Sequence, residues 1–189
     1  MIKLTKQQQK AADALLTNEV VFYGGEGNFS CSSGKTFLGV HQAVSFAINH
    51  KSVNVAIYCD SSNLTSIKMT ITDMIINLRP EKMAFYTSDT YTELSNGSCI
   101  YYGSMPNDNQ LYVQSSSLNS PLSFVYIDDF GKLSANQFKK FTNIADCTVL
   151  LTSNKYPDWM VPGDQVVIKS IIFDNPYIDT LYVANLVLT

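Results

Sequence analysis

The sequence predicts an α/β fold: a mostly parallel sheet with helices packed on both faces. Three observations carry this. Short apolar runs alternate with amphipathic stretches along most of the chain, the pattern of strands and helices taking turns. Several of the apolar runs are continuous rather than alternating, as strands buried on both faces must be. One of them, "EVVFYGG", leads through a loop directly into a stretch of helical period, making a strand–loop–helix unit. With 189 residues, 46% of them hydrophobic and 15% charged, the chain can bury roughly 70% of its unfolded surface around one core. It shows no internal repeat, linker or low-complexity segment, so a single domain over 1–189 is expected.

Taken in order, "LTKQQQKAADALL" reads as an amphipathic first helix with Thr5 as N-cap. "EVVFYGG" is the first strand, and "KTFLGVHQAVSFAINH" a helix packed on a sheet. "SVNVAIYC" is a second strand. "NLTSIKMTITDMIINL" is a second sheet-packed helix that must stop at Arg79-Pro80, because the residue before proline disfavours helical backbone. "MAFYT", "SCIYYGS" and "QLYVQS" are short, tyrosine-rich and separated by turn residues such as Asn96-Gly97, which predicts a small antiparallel excursion. "SFVYIDDF" is a strongly apolar strand ending in two acids. "SANQFKKFTNIA" is a helix, "CTVLLTSN" and "QVVIKSIIF" are strands, and "NPYIDTLYVANLVL" is a closing helix.

Composition removes several classes of function. A net charge of -3 leaves no global basic footprint, so any contact with nucleic acid needs a local patch or shared subunits. The four cysteines, Cys31, Cys59, Cys99 and Cys147, are scattered singly with no metal-ligand spacing, which fits a reducing cytoplasm and argues against zinc. The polar start "MIKLTKQQQK" and the absence of a long apolar run argue against secretion and a membrane location. Arg79 is the one arginine in the chain.

The chemistry concentrates at strand ends. "FYGGEGNFSCSSGKTF" closes on Gly34, Lys35 and Thr36 in the order a phosphate-binding loop uses, although Phe29 stands where the general pattern has a glycine. The loop residues Phe29, Ser30, Cys31, Ser32, Ser33 and Gly34 would wrap backbone N–H groups around phosphates, and the helix starting at Lys35 would add its positive end. Lys35 would reach the terminal phosphates and Thr36 would ligate Mg2+. "FVYIDDF" delivers Asp128 to hold the metal and Asp129 to polarise the attacking water, at the strand edge where ligands bind in open α/β sheets. "TVLLTSN" ends in Thr152, Ser153 and Asn154, able to sense a terminal phosphate. Together these features predict a P-loop NTPase of the ASCE type that binds a nucleoside triphosphate with Mg2+.

The order and wording of these segments resemble the ATPase domain of a viral large terminase, the motor that pumps DNA into preformed capsids. "LTKQQQKAADALL" resembles the family's adenine-recognising glutamine motif, with Gln8 the best match and Gln7 second. "LSNGSCIYYGSMPND" resembles its hairpin segment, "LLTSNKYPDWM" its coupling motif with Asn154, and "FDNPYIDTLYVANL" the segment that closes the domain. The resemblance implies ATP hydrolysis coupled to packaging of double-stranded DNA and a homo-oligomeric ring. It also implies a capsid portal as partner, a small terminase subunit or a separate nuclease as companion, and action in the host cytoplasm at the procapsid. It departs in two places. The loop carries Cys31 or Ser32 where a basic residue is common, and "IYCDSSN" has no arginine after the second strand, which leaves Arg79 as the only candidate guanidinium in this chain. No carboxylate cluster suggests the nuclease of a complete large terminase, so no nuclease activity is expected in this chain. Two alternatives stand beside this reading: a nucleotide-binding scaffold that has lost hydrolysis, and a helicase-like DNA-dependent ATPase.

Overall fold

The computed structural model describes residues 3–24, 33–105, 121–142, 147–160 and 166–170, with side chains described for all of these except 139–142. The expected strand "QLYVQS", the closing helix "NPYIDTLYVANLVL" and the loop residues Phe29, Ser30, Cys31 and Ser32 lie outside the described residues. In chain order the elements are α1 (Lys6–Leu15), β1 (Val20–Gly24), α2 (Lys35–Asn49), β2 (Asn54–Cys59), α3 (Leu64–Leu78), β3 (Phe85–Thr87), β4 (Tyr91–Leu94), β5 (Cys99–Ser104), β6 (Leu122–Asp128), α4 (Ala135–Thr142), β7 (Thr148–Ser153) and β8 (Val166–Lys169). They form the expected α/β architecture around one eight-stranded sheet of order β3-β4-β5-β2-β6-β7-β1-β8.

The central strands are parallel. β6 lies between β2 and β7, and β7 separates β6 from β1, so the strand carrying the acids and the strand leading into the glycine loop flank a third strand. The register puts Asp128 beside Thr152 and Gly24 beside Ser153, which gathers three strand ends at one edge. β5 pairs parallel with β2, while β4 pairs antiparallel with β5 and β3 with β4. The antiparallel excursion therefore occupies one edge of the sheet. β4 was not foreseen, because "YTEL" has only four residues and its two buried members, Thr92 and Leu94, are separated by the exposed Glu93.

Helix boundaries follow local chemistry. Thr5 caps α1 in a reciprocal box: the Thr5 N–H donates to Gln8 Oε1 at 2.9 Å, and the Gln8 N–H donates to Thr5 Oγ1 at 3.3 Å. α3 ends on Arg79, whose extended backbone (ψ 147°) is the conformation a following proline imposes. The end of α2 is finished from outside the helix. Asn96 Nδ2 donates to the carbonyls of Ala47, Ile48 and His50 at 2.8, 3.2 and 3.0 Å, and Ser98 Oγ donates to His50 O at 2.7 Å. Carbonyls of a last helical turn lack intrahelical donors, and the Asn96-Gly97-Ser98 turn supplies them.

Two cores cover the two faces of the sheet. One joins α1, α2 and α3 to residues such as Tyr23, Ile57, Ile100 and Tyr126; the other joins Phe22, Ile127, Phe130 and Leu151 to Phe138 of α4 and to Trp159. α2 presses closely on β6, because a Cβ on Gly39 would overlap the Tyr126 ring. Glycine at that position lets the helix that starts at the loop lie directly over the acid strand.

Candidate functional site

A cavity of about 440 Å³ opens at the C-terminal ends of β6 and β7 and is floored by the first turn of α2. Gly34, Lys35 and Thr36 line it from the loop side, Asp128 and Asp129 from β6, and Thr152, Ser153 and Asn154 from β7. Residues up to 120 positions apart in sequence thus share one pocket, of a size that suits small ligands.

On the loop side, Gly34 has φ 79°, the left-handed conformation that glycine adopts without steric cost, and serves as N-cap of α2. The first N–H groups of a 15-residue helix, unpaired within it, therefore point toward the cavity with the positive end of the helix dipole. Gln8 supports this turn from α1. Its Nε2 donates to Gly34 O at 3.1 Å, and a Cβ on Gly34 would come within 2.6 Å of that nitrogen. The Gln8 side chain is buried, with its oxygen in the α1 cap and its nitrogen on the loop; it does not line the cavity. Ser33 Oγ lies 2.9 Å from Ser170 Oγ just beyond β8, which ties the start of the turn to the far edge of the sheet.

On the acid side, Asp128 is 6% exposed and three hydroxyls converge on its Oδ1: Tyr126 at 2.7 Å, Thr152 at 3.0 Å and Thr36 at 3.1 Å. Tyr126 is two residues before Asp128 and so on the same face of β6. Burial, followed by the Asp128 charge, pushes the Tyr126 phenol well above its usual range, so it stays a donor to the carboxylate. The Thr36–Asp128 contact is the direct link between the loop and the acid strand. A hydroxyl and a carboxylate are hard oxygen ligands, the set that suits Mg2+. Cys59, at the end of β2, is pushed up to about 12 by burial and then by Asp128 and Asp60, which keeps it an inert thiol.

Asp129 follows with φ 56° and ψ 43°, left-handed geometry that non-glycine residues adopt uncommonly. Ser153 Oγ donates to its Oδ1 at 3.2 Å, and Lys132 Nζ meets its Oδ2 at 2.9 Å. Lys132 also reaches Asp60 Oδ2 at 3.1 Å, in the loop after β2. The two carboxylates raise the Lys132 pKa, the hydrogen bond to Asp129 contributing most. Sequence reasoning passed over Lys132, Asp60 and Tyr126. The i,i+2 spacing of "YID" is the signal for Tyr126; the i,i+3 spacing of "DFGK" is the weaker one for Lys132.

No family model matches the chain, and no curated protein does either. Solved structures match most of it. The large terminase of a thermophilic bacteriophage superposes with a TM-score of 0.73 at 11% identity, over 95% of this chain and 48% of that one. The ATPase domain of the Thermus phage P74-26 large terminase does so with 0.60 at 12%, over 88% and 80%. For the N-terminal domain of the bacteriophage phi29 DNA packaging ATPase the values are 0.56 and 9%, over 90% and 97%. The fold is that of a large-terminase ATPase domain. At these identities the likeness is one of fold, and the chain spans about half the length of the first of these terminases. That thermophilic bacteriophage protein has also been solved in complex with ADP and with ATP-gamma-S.

Within this terminase-type fold, the structure brings together Ser33, Gly34, Lys35, Thr36, Asp128, Asp129 and Asn154, all but Ser33 on the cavity wall. Lys35 Nζ lies 3.3 Å from Ser33 Oγ. Arg79 is not brought there. It ends α3, about 22 Å of helix from the cavity end of that element, donates to Met83 O at 2.7 Å and lies over the Phe85 ring at 4.9 Å. Trp159 anchors the segment after β7: its Nε1 donates to Leu133 O at 2.9 Å and its ring packs on Phe130 and Phe138.

Proposed function

We propose that this domain binds ATP with Mg2+ and hydrolyses it to drive double-stranded viral DNA into a procapsid. The observation that carries the reading is the Thr36–Asp128 contact of 3.1 Å, which joins the glycine-lysine-threonine turn to a buried acid beside one cavity. Gly34 and the first turn of α2 would hold the phosphates, and Lys35 would neutralise the terminal ones. Thr36 and Asp128 would hold Mg2+, which when bound polarises the phosphoryl oxygens and screens their charge. Asp129 would orient the attacking water, and Asn154 would respond to the terminal phosphate from β7. Residues 29–32 would complete the loop. Gln8 supports the loop through Gly34 O, which leaves base recognition to other groups such as Gln7.

The packaging role rests on the likeness to the two phage large terminases, to the phi29 DNA packaging ATPase domain and to a chain of the phi29 viral genome packaging motor assembly. By that likeness the domain works as a homo-oligomeric ring at a capsid portal in the host cytoplasm, with a small terminase subunit or a nuclease as companion. Among the described residues, no helix is long and apolar enough to cross a membrane. Arg79 could act only on a neighbouring subunit's site, because its own is at the other end of α3.

Substituting Lys35→Ala removes the phosphate-facing cation. ATP turnover by the assembled motor should fall by at least about a hundredfold, measured as phosphate release; turnover at the wild-type rate would sink the reading. The nucleotide-binding scaffold keeps one observation in its favour: both oxygens of Asp129, a shorter acid than glutamate, already have partners. Tight ATP binding with no phosphate release, with DNA and partners present, would select it.

A further inference from the structure

We propose that Lys132 is a positioning residue that sets the Asp129 carboxylate for its task, acting from outside the cavity and anchored by Asp60. The inference rests on the reading of Asp129 as the water-orienting acid. Asp129 lines the cavity from a left-handed backbone, φ 56°, just past the end of β6. What then decides where the carboxylate points is its two partners. Ser153 Oγ, on β7, donates to Oδ1 at 3.2 Å; Lys132 Nζ, from the turn after β6, holds Oδ2 at 2.9 Å.

Lys132 is itself held. Asp60 Oδ2 takes the same ammonium at 3.1 Å, and Asp60 is fixed in turn by the N–H and hydroxyl of Ser62, at 3.0 and 2.8 Å. The acid is therefore supported from both neighbouring strands, through Ser153 of β7 and through the loop that follows β2. The turn carrying Lys132 also has little room to move. A Cβ on Gly131 would lie 2.6 Å from Ser153 Oγ and 2.9 Å from Lys155 O, so this segment packs directly on the end of β7. Lys132 does not line the cavity, and its side chain is 59% exposed. Its influence on a bound substrate passes through Asp129.

The test is a kinetic split in the full 189-residue chain, assayed with and without double-stranded DNA, with Asp129→Asn as reference. Lys132→Ala should lower kcat about ten- to a hundredfold, the penalty of a misplaced catalytic group. KM and the affinity for a fluorescent ATP analogue should stay within about twofold. Lys132→Arg should recover most of the loss, since it keeps the charge. Asp60→Asn should fall between wild type and Lys132→Ala. The wild-type kcat should also decline with added salt, which screens exposed pairs, and Lys132→Ala should lose that dependence. Thermal melts check that each variant is folded. If Asp129→Asn abolishes turnover while Lys132→Ala matches or exceeds wild type, the positioning role is overturned and the site assignment survives. If Asp129→Asn itself turns over at the wild-type rate, the assignment of Asp129 fails and this inference with it.

Discussion

At Asp60, one carboxylate gathers the Ser62 N–H, the Ser62 hydroxyl and the Lys132 ammonium, and these partners, in that order, pull its pKa from 3.8 down to about 2. A carboxylate with a depressed folded-state pKa contributes stability that is present above its unfolded pKa and lost as pH falls toward its folded one. The window here runs from about pH 4 down to about pH 2. Asp60→Asn removes this contribution, so its stability should decline less than that of the wild type between those two pH values in acid titrations followed by circular dichroism. Asp128 shows a different use of a single acid. Three hydroxyls donate to one oxygen of a 6%-exposed carboxylate. Two of the donors, Tyr126 and Thr152, come from strands and hold it in place, while the third, Thr36, comes from the start of α2 and makes the acid part of the loop's site.

At the scale of elements, α2 is held at both ends by residues outside it. The N-terminus is fixed by Gly34 and Gln8, the C-terminus by Asn96 and Ser98. Gly97, at φ 85°, allows the turn to fold back onto the helix. Asn96→Ala would remove the donor held by the Ala47 and Ile48 carbonyls and one of the two on His50 O, and cost about 1–2 kcal/mol. It should lower the urea midpoint with little change in the slope of the transition. Sequence reading placed α1, α2 and α3, β1, β2, β6 and β7 within a few residues, because their periods and caps are local properties. Thr5 reads as an N-cap, and "LRP" as a stop. It could not see that Asn96 serves α2, since the partners lie 46 to 49 residues apart.

For the whole molecule, the strand order decides what the domain can do. With β7 between β1 and β6, the loop, the acids and Asn154 face one cavity, and the antiparallel edge formed by β3 and β4 stays at the other side of the sheet. A ligand that binds only the folded chain stabilises it by mass action. At a hundred times its Kd, Mg-ATP should add about 2.7 kcal/mol. For a domain of this size that raises the melting temperature by about 5–11 °C. Differential scanning calorimetry should show this shift in the wild type and a smaller one in Lys35→Ala; no shift with Mg-ATP would contradict the assigned site.

The sequence by itself determined the α/β class, the order of most elements other than β4, and the residue types placed at three strand ends, because periodicity, capping and turn residues act over a few positions. Gly34, Lys35, Thr36, Asp128, Asp129 and Asn154 could be picked out as strand-end candidates for that reason, and the fold places all six on one cavity wall. Only the tertiary structure decided that Gln8 braces Gly34, that Tyr126 and Thr152 satisfy Asp128, that Arg79 ends far from the cavity, and that Lys132 reaches Asp129 while tethered to Asp60. These contacts depend on which strands become neighbours and on how closely α2 lies over β6. Long-range packing sets both, and no local pattern of residues records them.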